Sequence, residues 1–186
     1  MRVNIKKIET GLHGCVELIS APTIDSRGLF QKIYRKDCFE KFGLFSEWVE
    51  QYYSTSNYGV LRGMHFQTPP YDHSKLVYCT SGEVFDIAVD LRFGSPTYGR
   101  FAKIVLSASK GNMVYIPSGF AHGFLVTSKQ ATLVYSVSSV YAPTHDSGIR
   151  WDSIGIEWPE EPTLISERDR KFKPLSEFQS PFLCSE

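Results

Sequence analysis

Apolar residues recur along this chain in short runs with a period of two, the spacing that loads one face of a β-strand. In Val84–Asp90, Phe85, Ile87 and Val89 fall on one face, and Val84, Asp86, Ala88 and Asp90 fall on the other. Runs rich in Tyr, Phe, Val, Ile and Thr predict strands at Phe30–Tyr34, Trp48–Ser54, Val60–Gln67, Leu76–Thr80 and Glu83–Leu91. Phe101–Leu106, Met113–Ile116, Ala121–Val126 and Thr132–Val140 continue the series. Turn signals such as Ser81-Gly82, Gly94-Ser95-Pro96 and Pro117-Ser118-Gly119 separate them at short intervals. That spacing predicts an all-β barrel or sandwich. One short helix is expected over Asp37–Phe42, with Asp37 as its N-cap and Gly43 at its end. After Pro159 the pattern weakens into Ser166-Glu167-Arg168-Asp169-Arg170 and a Pro-containing tail. No repeat, low-complexity segment or linker divides the chain, so residues 1–186 read as one domain with a C-terminal tail from about 160.

Charge narrows the partners. Twenty basic residues balance twenty acidic ones, and no like-charge block occurs, which argues against nucleic acid or an anionic membrane as the main partner. Met1-Arg2-Val3-Asn4-Ile5-Lys6-Lys7 leads into no apolar run of the kind a signal peptide needs, and no stretch of ~20 apolar residues spans a bilayer. Cys15, Cys38, Cys79 and Cys184 are scattered without CxxC spacing, as expected of reduced thiols in a cytoplasmic protein.

Candidate chemistry concentrates in Arg62-Gly63-Met64-His65-Phe66-Gln67 and in Lys75-Leu76 just beyond it. A guanidinium, an imidazole and an ammonium thus lie within about a dozen residues on consecutive predicted strands. Strands hold side chains stiffly, so such groups turned inward would line a pocket suited to proton chemistry on a small anion.

Five ordered motifs carry a resemblance. They are Val60–Gln67, Gly82–Arg92, Ser95-Pro96-Thr97-Tyr98-Gly99, Ile116–Phe124 and Ile154-Gly155-Ile156-Glu157-Trp158-Pro159. Together the chain closely resembles the dTDP-4-dehydrorhamnose 3,5-epimerase family of nucleotide-sugar epimerases, from about Asp25 to Asp169. The resemblance implies a cupin-like jelly-roll barrel with short peripheral helices, and a homodimer with exchanged N-terminal strands. It also implies epimerisation next to a keto carbon of a nucleoside-diphosphate 4-keto-6-deoxyhexose, with no cofactor and no metal. By the same resemblance His65 is the base, Asp169 the carboxylate that holds it, Lys75 the cation at the 4-keto oxygen and Tyr135 the opposing acid. Such a division suits the chemistry, because a C–H bond beside a ketone breaks only with a base nearby and the enolate oxygen stabilised. Arg27 and Arg62 match the residues that grip the pyrophosphate, for which guanidinium forks are well shaped. Tyr141, Gln67, His122, Lys32, Glu50 and Tyr52 fall at further positions near the substrate.

Several residues keep two readings. His122 is either a packed core histidine or an active-site neighbour, and Asp86 makes either a structural hydrogen bond or a pocket contact. His13, His73 and His145 read as structural or exposed. Tyr135 sits among aliphatics, and Asp169 in a charged segment where a solvated acid is the default; only the resemblance promotes them. The chain also departs from the family. Glu50, Gln51, Tyr52 and Tyr53 stand where the family usually has Gln, an acid or amide, Asn and His. Lys32 replaces a common Glu, and Ser136 replaces the usual Lys after Tyr135. A changed base, deoxysugar or number of inverted centres follows if the first two of these departures face the substrate; none follows if they face solvent or a subunit seam.

Three competing readings remain at this stage. A metal-dependent cupin would need about three histidines and a carboxylate, with two His one residue apart, and no His-x-His occurs. A non-catalytic sugar-binding module has no use for a base and an acid together. An epimerase that inverts only carbon 3 or only carbon 5, on a CDP- or GDP-linked sugar, uses the same residues as one that inverts both.

Overall fold

The computed structural model describes residues 5–184; Met1–Asn4, part of the stretch without a leader-like run, lie outside the described residues. In chain order the strands are β1 (Ile5–Glu9), β2 (Val16–Ser20), β3 (Thr23–Asp25), β4 (Gly28–Phe30), β5 (Glu50–Asn57), β6 (Val60–Gln67) and β7 (Lys75–Ser81). They continue with β8 (Glu83–Asp90), β9 (Phe101–Ser107), β10 (Asn112–Ile116), β11 (Phe120–Val126), β12 (Gln130–Val137), β13 (Asp146–Gly148) and β14 (Leu164–Ile165). Helix α1 spans Lys36–Lys41 and α2 spans Glu167–Arg170. One sheet runs β1-β2-β10-β7-β12-β5; the other runs β13-β6-β11-β8-β9, with β14 added parallel to β6. The pairings within both are otherwise antiparallel, which gives the expected all-β barrel of two facing sheets.

Alternation sorts the core into layers. Val77, Val114, Leu133, Val84, Ala88 and Phe124 meet between the sheets. Their neighbours one residue away face outward and are covered as well. On the first sheet Leu76, Met113 and Tyr115 pack under Phe39, Leu44 and Trp48, from the α1 region. On the second, Ile87 and Val89 pack under Ile149, Ile154, Phe182, Trp158 and Phe178. The segment after Pro159, which shows little periodicity, thus supplies part of the outer wall of the second sheet. A strand buried on both faces reads as a near-continuous apolar run, which is why Met113–Ile116 and Ala121–Val126 alternate poorly.

Four expectations need correction. Phe30–Tyr34 is not a strand: β4 ends at Phe30 and pairs with β3 in an exposed hairpin. Asp37 does not cap α1; Arg35 is the N-cap, without a side-chain cap, and Asp37 sits in the first turn paired with that arginine. The strand expected to Val140 ends at Val137, and the one expected over Trp48–Ser54 runs over Glu50–Asn57. Gly43 does end α1, with φ +70.

Candidate active site

A β-bulge assembles the site. His65 pairs with His122 and Arg62 with Phe124, so three steps along β6 answer two along β11. In a regular strand residues three apart point to opposite faces. The extra residue cancels that, so Arg62, His65 and Gln67 all line one cavity while Met64 packs outward, and Phe66 both borders the cavity and joins the outer cluster. Gly63 permits it. Its φ is +139, and a Cβ there would stand 2.5 Å from the Cα of Gly123. Only glycine tolerates that approach.

The cavity, about 460 Å³, lies between the sheets. The first sheet contributes Glu50, Tyr52 and Ser54 from β5, Lys75 from β7 and Tyr135 and Val137 from β12. The second contributes the β6 residues and His122 and Phe124 from β11. His65 and Tyr135 therefore stand on opposite walls.

His65 Nε2 lies 2.8 Å from Asp169 Oδ1, and Asp169 Oδ2 accepts the backbone N–H of Gly63 at 3.1 Å. Asp169 is 2% exposed and sits at the start of α2, whose N-cap Ser166 accepts its backbone N–H. Burial pushes the carboxyl up, but the His65 contact and the Gly63 N–H outweigh it and hold it at about 2. Burial lowers the His65 pKa below its ordinary value; Arg168 and Lys75 act in the same direction and Asp169 opposes them. The pair is thus a neutral imidazole beside an ionised carboxylate. The ionised carboxylate favours the tautomer with its proton on Nε2, in which Nδ1 keeps the lone pair that accepts a proton and Arg168 Nη2, itself only a donor, makes a close contact with Nε2 and no hydrogen bond.

Lys75 is buried, and its Nζ donates to the His65 carbonyl at 3.2 Å. Burial brings its pKa down to about 8, against the opposing pull of Asp146 and Asp86. Tyr135 is 6% exposed, and burial drives its pKa well above the ordinary tyrosine value, so its proton is present throughout the working pH range. Its hydroxyl lies 3.3 Å from Ser54 Oγ. Arg62 donates Nε–H to Ser56 Oγ at 2.9 Å, and among the described residues its terminal nitrogens make no hydrogen bond.

Of the other positions singled out from sequence, Gln67, His122, Glu50, Tyr52 and Tyr141 line the cavity. His122 resolves as both readings at once: it is 4% exposed, and its Nε2 lies 2.8 Å from the fully buried Asp86. Tyr53 points away from the cavity and is 72% exposed. Arg27 and Lys32 do not line the cavity in this chain. Arg27 is on the β3–β4 turn, paired with Asp25 at 2.6 Å. The structure adds Asp146 and Arg168, which sequence reasoning passed over, and His73, which it read as structural or exposed. His73 lies in the cavity wall, its Nδ1 3.0 Å from Gln67 Nε2. Asp146 accepts from Arg168, whose Nη2 comes within 2.8 Å of His65 Nε2. The only available signal for Arg168 was its place beside Asp169. Among the described residues no three His, Cys, Asp or Glu side chains form a metal-holding group.

The arrangement can remove a proton on one wall, return one from the other and stabilise an oxyanion between them. The profile of the dTDP-4-dehydrorhamnose 3,5-epimerase family matches residues 9–177. The dTDP-4-dehydrorhamnose 3,5-epimerase of Shigella flexneri is 44% identical over 157 residues, 82% of this chain and 87% of that protein. The crystal structure of dTDP-6-deoxy-D-glucose-3,5-epimerase from Legionella pneumophila, in complex with dTDP-4-keto-L-rhamnose, superposes with a TM-score of 0.93 at 32% identity. It covers 98% of this chain and 100% of that one. ChmJ of Streptomyces bikiniensis, a 3'-monoepimerase solved with dTDP-quinovose, gives 0.86 at 31% identity over 91% of this chain and 87% of its own.

Proposed function

The chain belongs to the dTDP-4-dehydrorhamnose 3,5-epimerase family, and from that premise we propose how its own residues divide the work. It is a cupin-like isomerase that epimerises a nucleotide-linked deoxysugar. In our reading His65 takes the proton from the carbon beside the ketone, and Asp169 orients the imidazole and stabilises the charge it gains. Lys75 meets the enolate oxygen as it forms. Tyr135 delivers its proton to the opposite face of the same carbon, which inverts it, and the phenolate regains a proton from solvent. Arg62 holds the diphosphate, with two terminal nitrogens to offer.

The observation that carries this reading is the placement of His65 and Tyr135 on facing sheets of one cavity, with Lys75 in the same cavity. Incubating the protein with thymidine-linked 4-keto-6-deoxyglucose in heavy water tests it. Deuterium at carbon 3, carbon 5 or both supports the reading. No exchange from thymidine-, cytidine-, guanosine- or uridine-linked sugars would overturn it.

Within the same proposal the protein works in the cytoplasm as a homodimer with exchanged N-terminal strands. The β3–β4 hairpin exposes Ile24, Leu29 and Phe30, and an apolar surface of that kind favours a partner. Arg27 and Lys32, which do not line the cavity of their own chain, then reach the partner subunit's cavity.

A further inference from the structure

Tyr52 and Tyr135 are directly opposite each other across β5 and β12. Their rings are stacked, with centroids 4.8 Å apart and planes at 16°. Such stacking is a favourable arrangement between aromatic rings. Tyr52 lies on an edge strand, lines the cavity and is 42% exposed, so its ring covers Tyr135 on one side and meets solvent on another. On a second side the ring of His122 meets Tyr135 edge-on at 6.1 Å and 70°. Ser54, two residues along the same face of β5, holds the phenol oxygen at 3.3 Å. The proton donor is therefore held by two rings and a hydroxyl. So large a ring, stacked at 4.8 Å, leaves Tyr135 little room to turn.

The reaction makes that confinement matter. Both carbons beside the 4-keto group can lose a proton to a base, and each gives an enolate on the same oxygen. Inversion needs a second event, in which the Tyr135 O–H bond breaks and a C–H bond forms on the face opposite the base. A donor fixed in place reaches one of the two carbons better than the other, because small displacements of a reacting group change rates steeply. We propose that Tyr52 is a positioning residue for the acid: by stacking on Tyr135 it confines the phenol oxygen and so sets how inversion is divided between carbon 3 and carbon 5. This rests on the reading of Tyr135 as the acid, and it deepens that reading by naming what aims it. Tyr52 does not transfer a proton itself, so its hydroxyl is dispensable and its ring is not.

The test compares Tyr52→Phe, Tyr52→Leu and Tyr52→Asn with the unchanged protein, on thymidine-linked 4-keto-6-deoxyglucose in heavy water. NMR follows both the deuterium and the configuration at carbons 3 and 5. Tyr52→Phe should keep the original ratio of inversion at the two carbons within about twofold. Tyr52→Asn and Tyr52→Leu should shift that ratio about tenfold or more, with deuterium uptake, which depends on His65, still measurable at both carbons. Tyr52→Leu keeps apolar bulk on the strand, so it decides the matter if the asparagine variant does not fold. An unchanged ratio in folded Tyr52→Leu, with only KM altered, would overturn the proposal and make Tyr52 a substrate contact. Absence of any exchange by the unchanged protein would instead overturn the epimerase reading beneath it.

Discussion

The carboxylate of Asp169 joins two points of β6: Oδ1 lies 2.8 Å from His65 Nε2, and Oδ2 accepts the Gly63 N–H at 3.1 Å. The imidazole is thus oriented by the same group that fastens the bulge beneath it. Asp169→Asn preserves the shape but removes the charge that stabilises a protonated His65. The expected result is a fall in kcat of order 10²–10⁴-fold, with little change in substrate affinity. Steady-state kinetics checks this, and a variant within threefold of the original would remove Asp169 from the mechanism.

Gly63→Ala should damage the fold itself. The substitution places a Cβ against the backbone of Gly123 at a φ that L-residues avoid. A loss of about 3 kcal/mol or more is expected, since an unfavourable φ alone costs roughly 1–3 kcal/mol. Calorimetry should then show Tm lower by roughly 6 °C or more, at about 2–4 °C per kcal/mol for a chain of this size. An unshifted Tm would mean that the bulge is soft.

The pH dependence follows from two shifts. Burial, Arg168 and Lys75 lower the His65 pKa below its ordinary ~6.5, and a base works only when neutral, so activity is lost as pH falls through that lowered value. Lys75 must be charged, and burial brings it down to about 8, so activity is also lost as pH rises through about 8. A bell-shaped kcat/KM profile is expected. Lys75→Arg should abolish or displace its alkaline limb, because a guanidinium stays protonated. An alkaline limb unmoved in that variant would assign it to another group.

Arg62→Ala should weaken nucleoside-diphosphate binding by about 1.5–3 kcal/mol, roughly 10- to 100-fold, the worth of charge-assisted hydrogen bonds. Calorimetric titration with thymidine diphosphate measures it directly. Unchanged affinity would place the diphosphate elsewhere.

The proposed exchange of N-terminal strands predicts complementation. Arg27→Ala and His65→Asn variants, each impaired alone, should recover activity when unfolded together and refolded as mixed dimers. One mixed-dimer site then combines an intact His65 with an intact Arg27 from the other chain, for a recovery of about a quarter of the original activity. No recovery, with mixed dimers demonstrated, would show that Arg27 does not serve the partner subunit's cavity.

Much of this was legible in the sequence. Period-two alternation located the barrel strands because one face of each is packed between the sheets, and the resemblance carried by the five motifs pointed to His65 within them and to Lys75, Tyr135 and Asp169 outside them. Other features left no local trace. The outer cover built from Ile154, Trp158, Phe178 and Phe182 makes few regular hydrogen bonds, so its apolar residues follow no period. The bulge at Gly63 breaks the alternation it interrupts, and alternation alone would put Arg62 and His65 on opposite faces. The strand expected over Phe30–Tyr34 failed for a related reason: an aromatic and β-branched run reads as a strand whether or not another strand lies beside it. Positions 50–53 sort by strand alternation, with Glu50 and Tyr52 in the cavity and Tyr53 outside it, but which of the two faces is the inner one is settled only in three dimensions.

Two proton carriers facing one another across the cavity are the core of the proposed mechanism, and the most direct measurement follows label and configuration together in heavy water for Tyr135→Phe and His65→Asn. With the acid removed, His65 can still take a proton and return a deuteron to the same face, so Tyr135→Phe should gain deuterium with retained configuration. His65→Asn should show neither deuterium uptake nor inversion. Normal inversion by Tyr135→Phe, or undiminished uptake by His65→Asn, would contradict the assignment of base and acid to the two walls.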